Sequence, residues 1–203
     1  MVNEIIKDPS KLKLGWEKRE ITVFFSDLVW FTSISEKMDS KELFNFLNMY
    51  FDEMTNVLIN NKWTIDKYIG DAIMWFFNAP LEIKDHIYLA CKTAIEQQEK
   101  LTEFNDKIRK KHKDLPELSM RIWINTDFMS HWNLWWKNNI NYTIIWDWVN
   151  LASRLEAINK KYKTKICVWE NTYKAVKNDF IFRELDKIKV KWKEEWVKIY
   201  ELC

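Results

Sequence analysis

Two aspartates stand at the ends of apolar strands in this 203-residue chain: Asp27 in "VFFSDL" and Asp71 in "YIGDAIM". Alone, an aspartate in a loop is most often a turn former or a helix cap. A hairpin tip beside a neighbouring strand end can bring two carboxylates together, and such a pair repels itself unless a cation sits between. Oxygen ligands without His or Cys suit Mg²⁺ or Mn²⁺, with substrate phosphates often completing the shell. "LVWFTS" overlaps the end of the first strand, a strand-to-helix loop whose amides suit phosphate at a helix N-terminus. Asn150 and Arg154, spaced i, i+4, share one face of a helix. A solvated polar stripe is their ordinary reading. The sharper one is an amide that orients a sugar and a guanidinium that meets developing phosphoryl charge. Lys67 precedes Asp71 on the same hairpin, and Lys191 lies in the basic run "KVKWK"; a surface lysine is the default for both. His86, His112 and His131 show no metal-ligand spacing and are given no role.

The elements that must hold these residues follow from periodicity. "REITVFFSDL" (19–28) is β-branched and aromatic, a buried strand running into a loop. Leu43, Leu47, Tyr50, Phe51, Met54 and Leu58 repeat at helical spacing, and Asp39 with Glu42 reads as a capping box. "WTIDKYIGDAIMWFF" (63–77) reads as a hairpin turning at Gly70-Asp71. A helix is expected from about 85 to 112, strands over 117–129 and 141–147, and a helix over 149–162. A strand at 164–170, a short helix in "NTYKAV" and a strand-like tail complete the order. The pattern predicts an α/β sandwich, helices on a mostly antiparallel sheet.

Composition narrows the classes. The length suits one domain with a real core, and a net charge of +2 argues for neither nucleic acid nor a membrane surface. Cys91, Cys167 and Cys203 are odd in number and widely spaced, which fits a reducing compartment better than a disulfide frame. No apolar run approaches the roughly 20 residues of a membrane span, and "MVNEIIKDPSK" lacks a signal pattern. A cytoplasmic location is expected.

Taken together and in order, "VFFSDLVWFTSISEKM", "TIDKYIGDAIMWFFNAPL", "RIWINT", "NYTIIWDWVNLASRLE" and "KVKWK" resemble the signatures of the class III nucleotidyl cyclase catalytic domain, bacterial adenylate cyclase type. The resemblance runs from about Arg19 to Leu202, implying a linker at 1–18 and a catalytic domain at 19–203 with a ferredoxin-like βαββαβ core. It implies that Asp27 and Asp71, with the Leu28 carbonyl, hold two Mg²⁺ or Mn²⁺ ions. It implies that Asn150 places the ribose, that Arg154 stabilises charge at the α-phosphate, and that Lys191 binds the terminal phosphates. Base choice falls to Lys67 and Thr143, a donor and an acceptor that complement the adenine edge. The implied partner is a second copy of the chain, with the metal carboxylates facing the other copy's Asn150 and Arg154 in a closed twofold arrangement. A cyclase-like module without turnover is the alternative. A diguanylate cyclase relative fits less well, because no G-G-[DE]-E-F hairpin is present.

One departure is systematic. The chain has 2 glycines and 13 tryptophans, where average usage predicts about 14 glycines. Trp30, Trp63, Trp123, Trp132, Trp135, Trp146 and Trp192 fall where the resembled family has glycine. Trp16, Trp75, Trp136, Trp148, Trp169 and Trp196 fall at small or variable positions. Asp127 also replaces a usual glycine. The pattern predicts that most or all of the tryptophans are glycines in the native protein, encoded by UGA.

Overall fold

The computed structural model describes residues 16–61, 63–79, 81–111, 116–136, 139–144, 158–189 and 196–203. Along the chain these form β1 (Trp16–Leu28), α1 (Phe31–Ser35), α2 (Ser40–Asn60), β2 (Thr64–Ile69), β3 (Ala72–Phe77) and α3 (His86–Lys111). Then follow β4 (Met120–Trp136), β5 (Asn139–Ile144), β6 (Ile166–Trp169), α4 (Glu170–Val176), β7 (Phe182–Lys189) and β8 (Trp196–Leu202). One eight-stranded sheet runs β2-β3-β1-β4-β6-β8-β7, with β5 paired to β4. Among the described strands every pairing is antiparallel except β4 with β6. The order β2-β3-β1-β4, with α2 and α3 as crossovers, is the expected βαββαβ core on a mostly antiparallel sheet.

Local chemistry accounts for the main elements. The Asp39 side chain caps α2 by accepting from the backbone N–H of Lys41 and of Glu42, both at 2.9 Å. Phe46, Tyr50, Met54 and Leu58 recur every fourth residue and form the buried stripe of that helix. Along β1 the faces alternate. Phe24 and Leu28 join the core under the helices, while Ile21 and Val23 pack with Phe76 and Met129 in a separate cluster.

β1 begins at Trp16 rather than 19, and β4 continues to Trp136 rather than ending at 129. Each extension satisfies the other's backbone, since Trp16 pairs with Trp132 and Lys18 with Ser130. The far end of β4 pairs with β5, from His131 opposite Ile144 to Trp136 opposite Asn139. Backbone pairing between the two strands, a long-range feature, carries both extensions.

A buried polar chain ties helices to sheet. His86 Nδ1 lies 2.7 Å from the Thr22 hydroxyl, which is 2.9 Å from that of Thr126, itself 3.0 Å from that of Thr172. Four elements (α3, β1, β4 and α4) are thereby registered through side chains that would be costly to leave unpaired.

Candidate active site

The site grows from the register of β1 against β3. Ser26 pairs with Ile73, and two residues further along each strand this antiparallel register sets Leu28 beside Asp71. Gly70, at φ 63, makes the tight turn that delivers Asp71 to the sheet edge. Oδ2 of Asp71 then accepts from the Leu28 N–H at 3.0 Å. Asp27, half-buried, is the residue before Leu28 and stands opposite Arg121 in the β1–β4 register.

Tyr50 of α2 floors this edge. Its hydroxyl is buried and donates to Met120 Sδ at 3.4 Å, and Met120 pairs with Leu28. Burial first, then the negative charges of Asp71 and of Asp27, push the Tyr50 phenol well above its ordinary range, so it remains a protonated donor. Asp27 and Asp71, both half-buried and carried by the end of β1 and the adjoining hairpin turn, offer the hard oxygen donors that Mg²⁺ or Mn²⁺ prefer. Among the described residues no three His, Cys, Asp or Glu side chains gather into one cluster.

Lys67 sits on β2, where the register shifts between Ile65 and Lys67, a bulge of the kind that re-aims a side chain. Its side chain is 46% exposed, with Nζ 3.6 Å from Asp66 Oδ1. Tyr68, the next residue, packs its ring 4.7 Å from that of Phe51 and anchors the hairpin to α2. Thr143 lies on β5 opposite Trp132, and β5 passes alongside β2, so the strands carrying Lys67 and Thr143 are neighbours in one chain. Asn150, Arg154 and Lys191 lie outside the described residues.

Directly after Leu28 the chain turns through Val29 and Trp30. The Val29 N–H donates to the Ser119 carbonyl at 2.8 Å, so that amide is already engaged. Trp30 caps α1 in the left-handed conformation, φ 66 and ψ 18, and is 69% exposed. Asp127, another position where glycine was expected, turns its carboxylate onto the following N–H of Phe128 at 2.9 Å. Sequence reading missed Tyr50, and it gave no hint that Arg121 would stand opposite Asp27. Tyr50 was one of several apolar residues at helical spacing, and only the fold reveals what its hydroxyl faces. Arg121 carried no spacing signal at all.

Residues 16–202 match the family described as the adenylate and guanylate cyclase catalytic domain. The chain belongs to this family. The adenylate cyclase of Anabaena cylindrica is 35% identical over 91% of this cyclase chain, which spans only 37% of that relative's length. Among solved structures, the adenylyl cyclase CyaB from P. aeruginosa superposes with a TM-score of 0.81 at 30% identity, covering 94% of this chain and 96% of that one. The guanylyl cyclase Cya2 gives the same TM-score and identity over 93% and 94%. The fold alone does not separate these two structures, and base preference is argued below from side chains. Among the described residues no helix is long and apolar enough to cross a membrane.

Proposed function

We propose that this chain is the catalytic domain of an adenylate cyclase, expected over 19–203 after a linker at 1–18, with the first strand of the domain reaching back to Trp16. It converts ATP to 3′,5′-cyclic AMP and pyrophosphate at sites shared between two copies of the chain. The observation that carries the reading is the Leu28 N–H bonded to Asp71 at 3.0 Å, which couples the strand end bearing Asp27 to the hairpin tip in a member of this family.

Asp27, Asp71 and the Leu28 carbonyl hold the divalent ions, two per site, Mg²⁺ or Mn²⁺. When bound, the ions supply positive charge that lowers the barrier to an in-line displacement at phosphorus. The protein's own groups do the rest. Asn150 of the second chain fixes the ribose so that its 3′-oxygen lies in line with the α-phosphorus. The 3′-hydroxyl oxygen bonds to that phosphorus, its proton passing to water, as the bond to the pyrophosphate oxygen breaks. Arg154 of the second chain meets the charge that develops on the α-phosphate oxygens, and Lys191 holds the leaving phosphates. Two identical chains arranged this way make two equivalent sites.

ATP is the substrate because Lys67 offers a donor and Thr143 an acceptor, the complement of adenine N1 and N6. The neighbouring course of β2 and β5 supports one chain presenting both. Guanine reverses both groups. Trp30 favours a second reading, a module that binds nucleotide without turnover, since its exposed indole stands in the turn directly after Leu28. Against it, the polar set Asp27, Asp71, Lys67, Asn150 and Arg154 is intact. Comparing kcat/KM for ATP and GTP with Mn²⁺ tests the assignment: ATP is favoured if Lys67 and Thr143 read the base, and a preference for GTP overturns it.

A further inference from the structure

The two glycines and 13 tryptophans acquire a geometry in the folded chain. Gly70 and Trp30 share nearly the same backbone, φ 63 and φ 66, and they stand in the two turns that carry Asp71 and follow Asp27. A bulky side chain in that region clashes with its own backbone. The other non-glycine residues there have visible reasons. Asn78, at φ 71, accepts from the Ile83 N–H at 2.6 Å and donates to the Glu20 carbonyl at 2.9 Å. Lys163, at φ 53, ends the helical turn at 158–162, where a left-handed residue is common. Trp30 makes no side-chain capping bond and projects into solvent. Its indole contributes nothing that would offset the backbone.

Two buried indoles fit no better. Trp75 on β3 and Trp123 on β4 are 2% and 3% exposed, and neither ring N–H has a hydrogen-bond partner. Buried indole N–H groups ordinarily find an acceptor. Trp123 stands in the middle of the sheet, paired with Phe25 on one side and Cys167 on the other. Trp63 differs: its ring N–H donates to Thr93 Oγ1 at 3.0 Å and it meets Phe24 edge-on, while its centroid lies 3.6 Å from that of Phe77 at an interplanar angle of 35°. Aromatic pairs prefer about 4.5–7 Å. A left-handed turn at Trp30, two buried indole donors without a partner and a close ring pair at Trp63 fall at four of the tryptophan positions.

We propose that UGA is decoded as glycine in the source of this protein, and that the working chain carries glycine at Trp30, Trp63, Trp75 and Trp123. A single decoding rule explains why a deficit in one residue type matches an excess in another. It also explains why the misfit rings occur at positions of unrelated structure, a turn, a strand entry and two strand interiors. The inference rests on backbone angles, packing and composition, and stands whichever nucleotide the site takes.

Digestion of the protein purified from its source cells, followed by mass spectrometry, reads residue 30 within the tryptic peptide 20–37. Glycine there is expected, and tryptophan overturns the proposal. A recombinant arm tests the structural argument without the source cells. Trp30→Gly in the chain otherwise as written should raise the thermal midpoint, because glycine adopts φ 66 without strain while losing no buried contact. An unchanged or lower midpoint overturns the claim that residue 30 is built for glycine.

Discussion

The Leu28 N–H and the Asp71 carboxylate, 43 residues apart in sequence, meet at 3.0 Å. This bond makes one edge out of a strand end and a hairpin tip. It fixes Asp71 without requiring its charge, since a neutral amide oxygen can accept the same N–H. Shape and charge at this position are therefore separable by mutation.

Asp71→Asn should keep the fold and the Leu28 bond while lowering turnover by about two orders of magnitude or more, the scale of losing an electrostatic group at a reacting phosphate. The check is the rate of cyclic AMP formation at saturating Mn²⁺ beside the thermal midpoint. Parental rates in the mutant would remove Asp71 from the metal site.

Lys67→Glu should depress ATP use and admit GTP, because a donor facing the base becomes an acceptor. The hairpin itself should be undisturbed, since the Lys67 side chain is about half exposed. The ratio of kcat/KM for the two nucleotides is the readout, and an unchanged ratio would refute the base-reading role.

Mixing inactive Asp27→Ala chains with inactive Arg154→Ala chains should restore part of the activity. A heterodimer has one site with both defects and one with neither. If the chains demonstrably exchange and the mixture stays dead, each site lies within one chain.

His86 carries the pH prediction. Desolvation is the larger influence and lowers its pKa, while nearby Glu20 opposes the shift. With the folded value below the unfolded one, the unfolded chain binds the proton more readily. Stability should then be full above the ordinary histidine value of about 6.5 and decline as pH falls below it. Thermal midpoints from pH 8 to 5 test this. His86→Gln should flatten the decline, at some loss of the Thr22 bond.

Much of the architecture was legible in the sequence because its signals are local. The capping aspartate at 39, the fourfold stripe of α2 and the Gly70-Asp71 turn each encode their own element. Asp27 and Asp71 were legible as strand-end aspartates, but the bond from the Leu28 N–H to Asp71 depends on the β1–β3 register, a long-range pairing that spacing cannot give. The tails of β1 and β4 were hidden for the same reason, as each is extended by the other. Tyr50 looked like core because a hydroxyl beneath two carboxylates has the same helical spacing as a phenyl ring in a dry interior. The indoles were conspicuous in composition, yet only the left-handed φ of Trp30 and the orphaned donors of Trp75 and Trp123 turn that oddity into strain.

The central claim is that the folded chain makes cyclic AMP. The direct measurement uses the chain prepared with glycine at all 13 tryptophan positions, shown to be folded and dimeric, and incubated with ATP and Mn²⁺. The account predicts cyclic AMP and pyrophosphate in equal amounts, lost on Asp27→Ala. A folded dimer that binds Mn²⁺ and ATP but releases neither product would contradict it.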